Sequence, residues 1–350
     1  MKKKQSGIST RDIAKAAGVS KSTVSYALHN HPGVNAMTRQ RVLEVATRLG
    51  YAPDPRIASW LTTVRSAGAK ELLPIAWLNT AKHESTWRKF KYLSPYLEGA
   101  QARAQELGYR LDEIWAGQSG MSMRRINQVL GARGIEGMII TYPARHLRLD
   151  WSGIASVSLE ASLLAPHLHH IVTDHIYNLL LALKALKRAG YKRIGVCLDE
   201  EIDRGTTGTL RAAAHFFYST TLKAHRVKPL FYAGEGEAAW QRANIKQVQN
   251  WLRSDRPEVV IGHSMRLLEC VQDAGYRVPQ DIGVVHLATD DDAADWAGVN
   301  SNKRDIGAVA AETVISLVQR RQFGLPNTTM NTSVRGSWHP GRTVLLPKPI

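Results

Sequence analysis

Several stretches of this chain carry residue types that could do chemistry. Thr289–Asp295, "TDDDAAD", clusters the carboxylates Asp290, Asp291, Asp292 and Asp295. Such a cluster could hold a cation, but it reads first as a solvated loop. His167–His170, "HLHH", with His175 beyond, offers imidazoles for a transition metal, yet it reads as a crossing segment followed by a strand. No G-x-S-x-G, Walker A or H-E-x-x-H pattern is present, and "GEGEAAW" (234–240) is a weak glycine-rich loop. After "IAWLN" comes "TAKHEST", without the glycines of a dinucleotide site. No enzyme chemistry, cofactor or bound metal is expected. Gly18–Asn30, "GVSKSTVSYALHN", is different. On a helix, Ser22, Ser25, Tyr26 and His29 fall at i, i+3, i+4 and i+7, opposite an apolar stripe of Val24, Ala27 and Leu28. Hydroxyls and rings on one face, with Lys21 and no acid beside them, suit bases and phosphates.

The elements that must position this face are short helices. Ser9 and Asp12 form a helix start signal, Ile13, Ala14 and Ala17 make one apolar face, and Gly18 ends the helix. Ser20 caps the next helix. A third helix starts near Asn35 or Ala36, buries Val42, Val45, Ala46 and Leu49, and stops at Gly50. Two helices joined by a turn of this length are a helix-turn-helix, whose second helix enters the DNA major groove. The charge agrees. The chain carries +16, and residues 1–70 hold twelve Lys/Arg against three acids. A basic head on a milder body fits a polyanion partner.

Residues 55–70 follow as a hinge. Asp54 is a plausible N-cap with Pro55 at the first helical position, and Ile57, Trp60 or Leu61, and Val64 form an apolar stripe. A helix so short needs a partner. From residue 71 onward, short apolar runs such as "LLPIAWLN", "EGMIIT", "RIGVCLD", "VVIGHS" and "DIGVVHLA" alternate with helical patterns. This is the α/β rhythm of open parallel sheets, in two halves of about five strands each, with ligands expected at the C-terminal strand ends. Cys197 and Cys270 sit in apolar segments and read as buried free thiols of a reducing cytosol. No signal-peptide pattern follows Lys2–Lys4, and no run approaches the length of a membrane helix, so a cytoplasmic protein is expected.

The stretch "ISTRDIAKAAGVSKSTVSYALHNHPGVNAMTRQRVLEVATRLGYAPDP" resembles the DNA-binding head of the lactose/galactose repressor (LacI/GalR) family of bacterial transcription regulators. The shared elements are a D-I-A…A-G-V-S start, T-V-S in the second helix, T-R-x-R-V in the third and a closing L-G-Y-x-P. "VTDHIYNLLLALKALKRAGYKRIGV", "GYRVPQDIGVV", "NKRDIGAVAAETVISLVQRRQFG" and "SVRGSWHPGRTV" resemble the family's two-lobed, periplasmic-binding-protein-like core.

The resemblance implies a head over 1–54, a hinge over 55–70 and a core over 71–350 that serves effector binding and dimerisation. It implies a first lobe of about 71–162 and 302–335 and a second of about 174–299 and 337–350. Crossings fall near Ser162–Asp174, Val299–Asn302 and Arg335–Ser337, and "SVRGSWHPGRTV" is expected as a terminal strand. The implied DNA contacts are Lys21, Ser22, Thr23, Ser25, Tyr26 and His29, with Ile57, Trp60 and Leu61 in the minor groove. Two departures stand out: Tyr26 replaces an arginine that reads guanine, and Trp60 takes the place of a wedging leucine.

For the effector the strand-end candidates are Asn79, Tyr142, Asp174, His263 and Asp290, with Trp87, Trp115 and Trp296 able to stack on a pyranose. Thr209 stands where the family has a sugar-binding arginine, and the late aspartate falls near Ala288. The resulting expectation is a sequence-specific regulator, a repressor, that binds a palindromic DNA operator as a homodimer and answers to a small metabolite, carbohydrate being the family's common class. The rival readings are a regulator without an effector, and an α/β ligand-binding or enzymatic protein with an incidental head.

Overall fold

The computed structural model describes residues 10–28, 33–49, 72–81, 93–141, 146–160, 163, 165–200, 208–233, 242–290 and 295–346. The head contains α1 (Thr10–Ala17), α2 (Lys21–Leu28) and α3 (Ala36–Leu49). The apolar stripes face inward: Ile13, Ala14 and Ala17 meet Val24 and Ala27, and Val42, Val45 and Ala46 close the core. Gly18, at φ 63, makes the turn between α1 and α2, a backbone conformation that costs an L side chain. Asn35 caps α3 by accepting the Thr38 N–H at 2.8 Å.

The body has two six-stranded sheets. The first comprises β1 (Leu73–Asn79), β2 (Tyr109–Trp115), β3 (Gly137–Ile140), β4 (Ala155–Leu159), β5 (His169–Thr173) and β11 (Asn331–Val334), in the order β11-β5-β4-β3-β1-β2 and parallel throughout. The second comprises β6 (Ile194–Asp199), β7 (Leu230–Tyr232), β8 (Val259–Gly262), β9 (Gly283–His286), β10 (Ala297–Asn300) and β12 (Ser337–His339), in the order β12-β10-β9-β8-β6-β7. Only β12 in that sheet runs antiparallel to its neighbour. Near-continuous apolar runs such as "GMII" and "VVIG" are buried along their whole length, as expected of strands covered on both faces.

The helices are α4 (Ser94–Glu106), α5 (Met123–Ala132), α6 (His175–Arg188), α7 (Thr209–Thr220), α8 (Arg242–Asp255), α9 (Arg266–Asp273) and α10 (Lys303–Gln319). Two of them approach backbone to backbone. A Cβ on Gly99 of α4 would run into the Arg304 main-chain oxygen, and one on Gly307 of α10 into that of Tyr96. Both positions therefore require glycine, and α10 lies on the first sheet although its sequence follows a strand of the second.

The chain passes between the sheets at Asp174, at Ser301–Asn302 and at Arg335–Gly336. These passages lie side by side. The Asp174 N–H donates to the Val334 carbonyl at 2.9 Å, the Asn302 side-chain amide to the Arg335 carbonyl at 2.9 Å, and the Gly336 N–H to Asn178 Oδ1 at 2.8 Å.

Here two sequence expectations are corrected. Residues 169–173, expected within the first crossing, are the fifth strand of the first sheet, in register with Val157–Leu159. The passage shrinks to Asp174 because the next helix already buries Leu179, Leu183 and Leu186 in the second lobe. The terminal stretch "SVRGSWHPGRTV" does not form one strand. It splits at Arg335–Gly336, within the crossing expected near Arg335–Ser337, into β11 on one sheet and β12 on the other, and so supplies each with a sixth strand.

Candidate functional site

On the head, the outward face of α2 is built by its cap. Ser20 Oγ accepts the Thr23 N–H at 3.0 Å, and the same oxygen lies 2.8 Å from both Ser22 Oγ and Thr23 Oγ1. A single hydroxyl thus closes the helix start and holds the two hydroxyls that follow it. Val24 and Ala27 are buried, Lys21 and Ser22 are exposed, Thr23 is half-buried and Tyr26 is 49% exposed. Lys21, Ser22 and Tyr26 therefore share a face open to a partner. Ser25 lies in α2, but its side chain is outside the described residues, as are His29, Ile57, Trp60 and Leu61.

In the body, the candidates fall at strand ends and crossings. Asn79 ends β1 and is buried; its Oδ1 accepts the Ala81 N–H at 2.9 Å, and its Nδ2 has no hydrogen-bond partner. Asp174 caps α6, accepting the Tyr177 N–H at 3.0 Å, and its other oxygen lies 3.6 Å from Arg335 Nε. Asp290 accepts the main-chain N–H groups of Ser301 (2.5 Å) and Lys303 (3.1 Å). Both acids thus brace crossings. His263 follows β8, and its ring lies 5.4 Å from that of His286 at the end of β9. Tyr142 lies outside the described residues, as does Trp87. Trp115 is half-buried and donates to the Ala81 carbonyl at 2.6 Å. Trp296 is buried with its ring edge-on to His286 at 5.5 Å, which places it in the core of the second lobe rather than open for stacking.

Between the lobes the structure adds Glu160, Tyr96 and Lys303, which the sequence does not single out, and joins to them His175, which the sequence offers only as a metal-ligating imidazole. Glu160, directly after β4 with φ 55, accepts the Thr173 N–H and hydroxyl (2.8 Å) and the Tyr96 hydroxyl (2.9 Å). His175 Nε2, the first residue of α6, lies 3.5 Å from its Oε2. Burial pushes the Glu160 carboxyl up, but the contacts with His175 and Thr173 outweigh it and hold the group below its ordinary range. Burial and the adjoining Glu160 charge raise the Tyr96 phenol. Buried Lys303, the first residue of α10, sits over the Tyr96 ring at 5.8 Å.

Burial, followed by the neighbouring His286, His175 and Lys303, holds the His263 imidazole well below its ordinary pKa. Burial likewise brings His286 down to about 4. Its Nδ1 accepts the Ala288 N–H at 3.0 Å, which leaves the proton on Nε2. Glu160 directly follows β4, in "ASVSLE", and His286 ends β9, in "GVVH". The strand-end rule that singled out Asn79 and His263 applies equally to them.

Among the described residues, no group of three or more His, Cys, Asp and Glu side chains is placed to hold a metal. His170 pairs with Ser158 Oγ at 2.6 Å, and His169 accepts the Met330 N–H at 3.1 Å. Nor is any helix among them long and apolar enough to cross a membrane. Cys197 and Cys270 are free and buried, and burial raises both thiols.

Residues 9–54 match the family model for bacterial regulatory proteins of the lacI family, and residues 183–338 that of the periplasmic binding protein-like domain. The chain is 21% identical over 323 residues to the HTH-type transcriptional repressor PurR of Aliivibrio salmonicida, spanning 88% of this chain and 92% of that protein. It is 24% identical over 325 residues to the lactose operon repressor of Escherichia coli, spanning 89% and 84%. Among solved structures, the transcriptional regulator CelR in complex with cellobiose aligns over 96% of this chain and 99% of its own, with a TM-score of 0.59 and 15% identity. The lac repressor dimer bound to operator and the anti-inducer ONPF aligns over 97% and 100%, with a TM-score of 0.55 and 20% identity. These relatives are named as transcription regulators, not as enzymes.

Proposed function

This chain has the make-up of the lacI family of bacterial regulatory proteins, and from that premise we propose that it represses transcription by binding a palindromic operator as a homodimer. The observation that carries the reading is the outward face of α2. Lys21, Ser22 and Tyr26 lie exposed on a helix whose opposite side is locked into the head by Val24 and Ala27. In such a unit the second helix lies in the major groove, and two-fold symmetry of the protein sets the half-site spacing. Tyr26 offers a single hydroxyl and an apolar ring, so the base pair it faces differs from one read by a bidentate arginine. The hinge expected over 55–70, with Trp60 as a minor-groove wedge, joins this interface in the same proposal.

The body modulates the head. A small molecule binds between the lobes, where Asn79, Asp174, His263 and Asp290 lie near strand ends or crossings, and changes how the lobes meet. The three adjacent passages support this, because any rotation of one lobe on the other must turn about them. The protein works in the cytoplasm.

Fluorescence anisotropy on a palindrome selected from random sequence tests the DNA reading. Full-length protein should bind two half-sites, and log affinity should fall linearly with log salt as phosphate contacts release counterions. Binding of a monomer to a lone half-site with equal affinity overturns the dimer.

A further inference from the structure

The polar groups between the lobes are unevenly matched. Among the described residues, the carboxylates there are engaged: Glu160 takes up Thr173 and Tyr96, and Asp290 takes up the N–H groups of Ser301 and Lys303. Donors are left over. His286 is 5% exposed, its Nδ1 is fixed as an acceptor by Ala288, and its Nε2 has no hydrogen-bond partner. The main chain of His263 engages the His286 ring in a weak hydrogen bond, short of the distance and alignment of a full bond at Nε2. From the strand ends of the other lobe, Asn79 Nδ2 is a second buried donor without a partner. Buried donors are nearly always satisfied in a finished structure, so unsatisfied ones beside a binding site call for an acceptor from outside.

The surroundings of His263 say what kind of acceptor. His263 is half-buried, and its ring stands 5.4 Å from the His286 ring. The chargeable groups acting on it are His286 from β9, His175 from the start of α6 and Lys303 from the start of α10. All three are bases, drawn from three different elements. Glu160 is the acid facing His175, and Asp290 holds the main chain at Lys303. A neutral polyol would bring hydroxyl protons of its own to a place where the described carboxylates Glu160 and Asp290 already accept hydrogen bonds from the protein. A group with lone pairs and negative charge brings only what is missing.

We propose that the small molecule bound between the lobes presents an oxyanion, a carboxylate or a phosphate, to His286 Nε2 and His263. This rests on the interlobe reading above and narrows it to acidic metabolites. The anion accepts the Nε2 proton of His286 and stands among His263, His175 and Lys303, where a bound negative charge favours the protonated form of His263.

Calorimetry on the full-length protein tests this with four probes: sodium acetate, sodium phosphate, gluconate and uncharged glucose. Ionic strength is held constant with chloride, because a chain of +16 gathers anions diffusely. The variants are His286→Phe, which keeps the ring shape but removes the Nε2 proton, and His263→Phe, which leaves the Ala288 contact alone. The expected result is that at least one of the three anions binds the parent more tightly than glucose does. Its affinity falls at least about tenfold in each folded variant.

If glucose binds better than every anion and both variants weaken it, the interlobe site stands and the oxyanion is overturned. If every probe that binds does so equally to parent and variants, the site lies elsewhere and both readings fall. If no anion binds the parent above chloride, the oxyanion proposal is overturned whatever the head does with DNA.

Discussion

The α2 face of the head and the polar cluster between the lobes use the same kinds of side chain, in opposite settings. On α2, Lys21, Ser22 and Tyr26 stand exposed, and one local cap, Ser20, organises the hydroxyls within three residues of itself. Between the lobes, Tyr96, Glu160, His263, His286 and Lys303 come from five separate stretches of chain, and the contacts among them shift their protonation. In the first setting water screens the charges and spacing alone sets the face. In the second, burial makes each polar group depend on its neighbours. An exposed recognition face can therefore change its residues at little cost in stability, whereas a buried one cannot.

The largest expected effect breaks the buried cluster from a distance. Gly307→Val drives a branched side chain into the Tyr96 carbonyl, separates α10 from α4 and displaces Lys303 from the Tyr96 ring. Overpacking against backbone should destabilise the body by about 3 kcal/mol or more, read as a lower denaturation midpoint, with the head's affinity for a half-site unchanged. A body of unchanged stability would show that the two helices are not locked together here.

Acid gives the next effect. His286 has a folded pKa of about 4 against an ordinary value of 6.5, so the unfolded chain takes up its proton first as pH falls. Stability is full above the unfolded value and is lost between about 6.5 and 4, by up to roughly 3 kcal/mol. Melting temperatures measured across that window should fall for the parent and fall less steeply for His286→Phe. Parallel curves would mean that this imidazole is not the group responsible.

Tyr26→Arg sharpens the other side of the comparison. It should move base preference at one operator position by about 1–3 kcal/mol while the melting temperature stays put. Selection from random DNA that returns one motif for both proteins would take Tyr26 off the recognition face. The smallest effect is expected from Ser20→Ala. It removes the cap of α2 and releases Ser22 and Thr23, for about 1 kcal/mol of head stability by chemical denaturation. A loss several times larger would mean that Ser20 supports more than its own helix start.

Much of the molecule was legible from residue order. Ile13, Ala14, Ala17, Val24 and Ala27 repeat at helical spacing, Gly18 and Ser20 are local punctuation, and the outward position of Tyr26 follows from them. Runs such as "GMII" and "VVIG" announce buried parallel strands. What misled was the crossing region. Residues 169–173 carry a strand pattern that fits either lobe, and "SVRGSWHPGRTV" reads as one strand by its own pattern, the change of sheet within it being indicated only by the family resemblance, which places a crossing near Arg335–Ser337.

The sequence by itself determined the α2 face, because a helix is closed by bonds between near neighbours and its exposed side needs no other partner. It determined the α/β body too, through periodicity and strand-end punctuation. Only the tertiary structure decided that Asp174 and Asp290 brace crossings, that Glu160 joins Tyr96 and Thr173 to His175, and that His286 keeps an unpartnered proton beside His263. Those pairings span from 11 to more than 150 positions of chain, as between Asp290 and Ser301 or Asp174 and Arg335. Whether a buried polar group is satisfied depends on what folding brings within about 3 Å of it, and no local pattern encodes that distance.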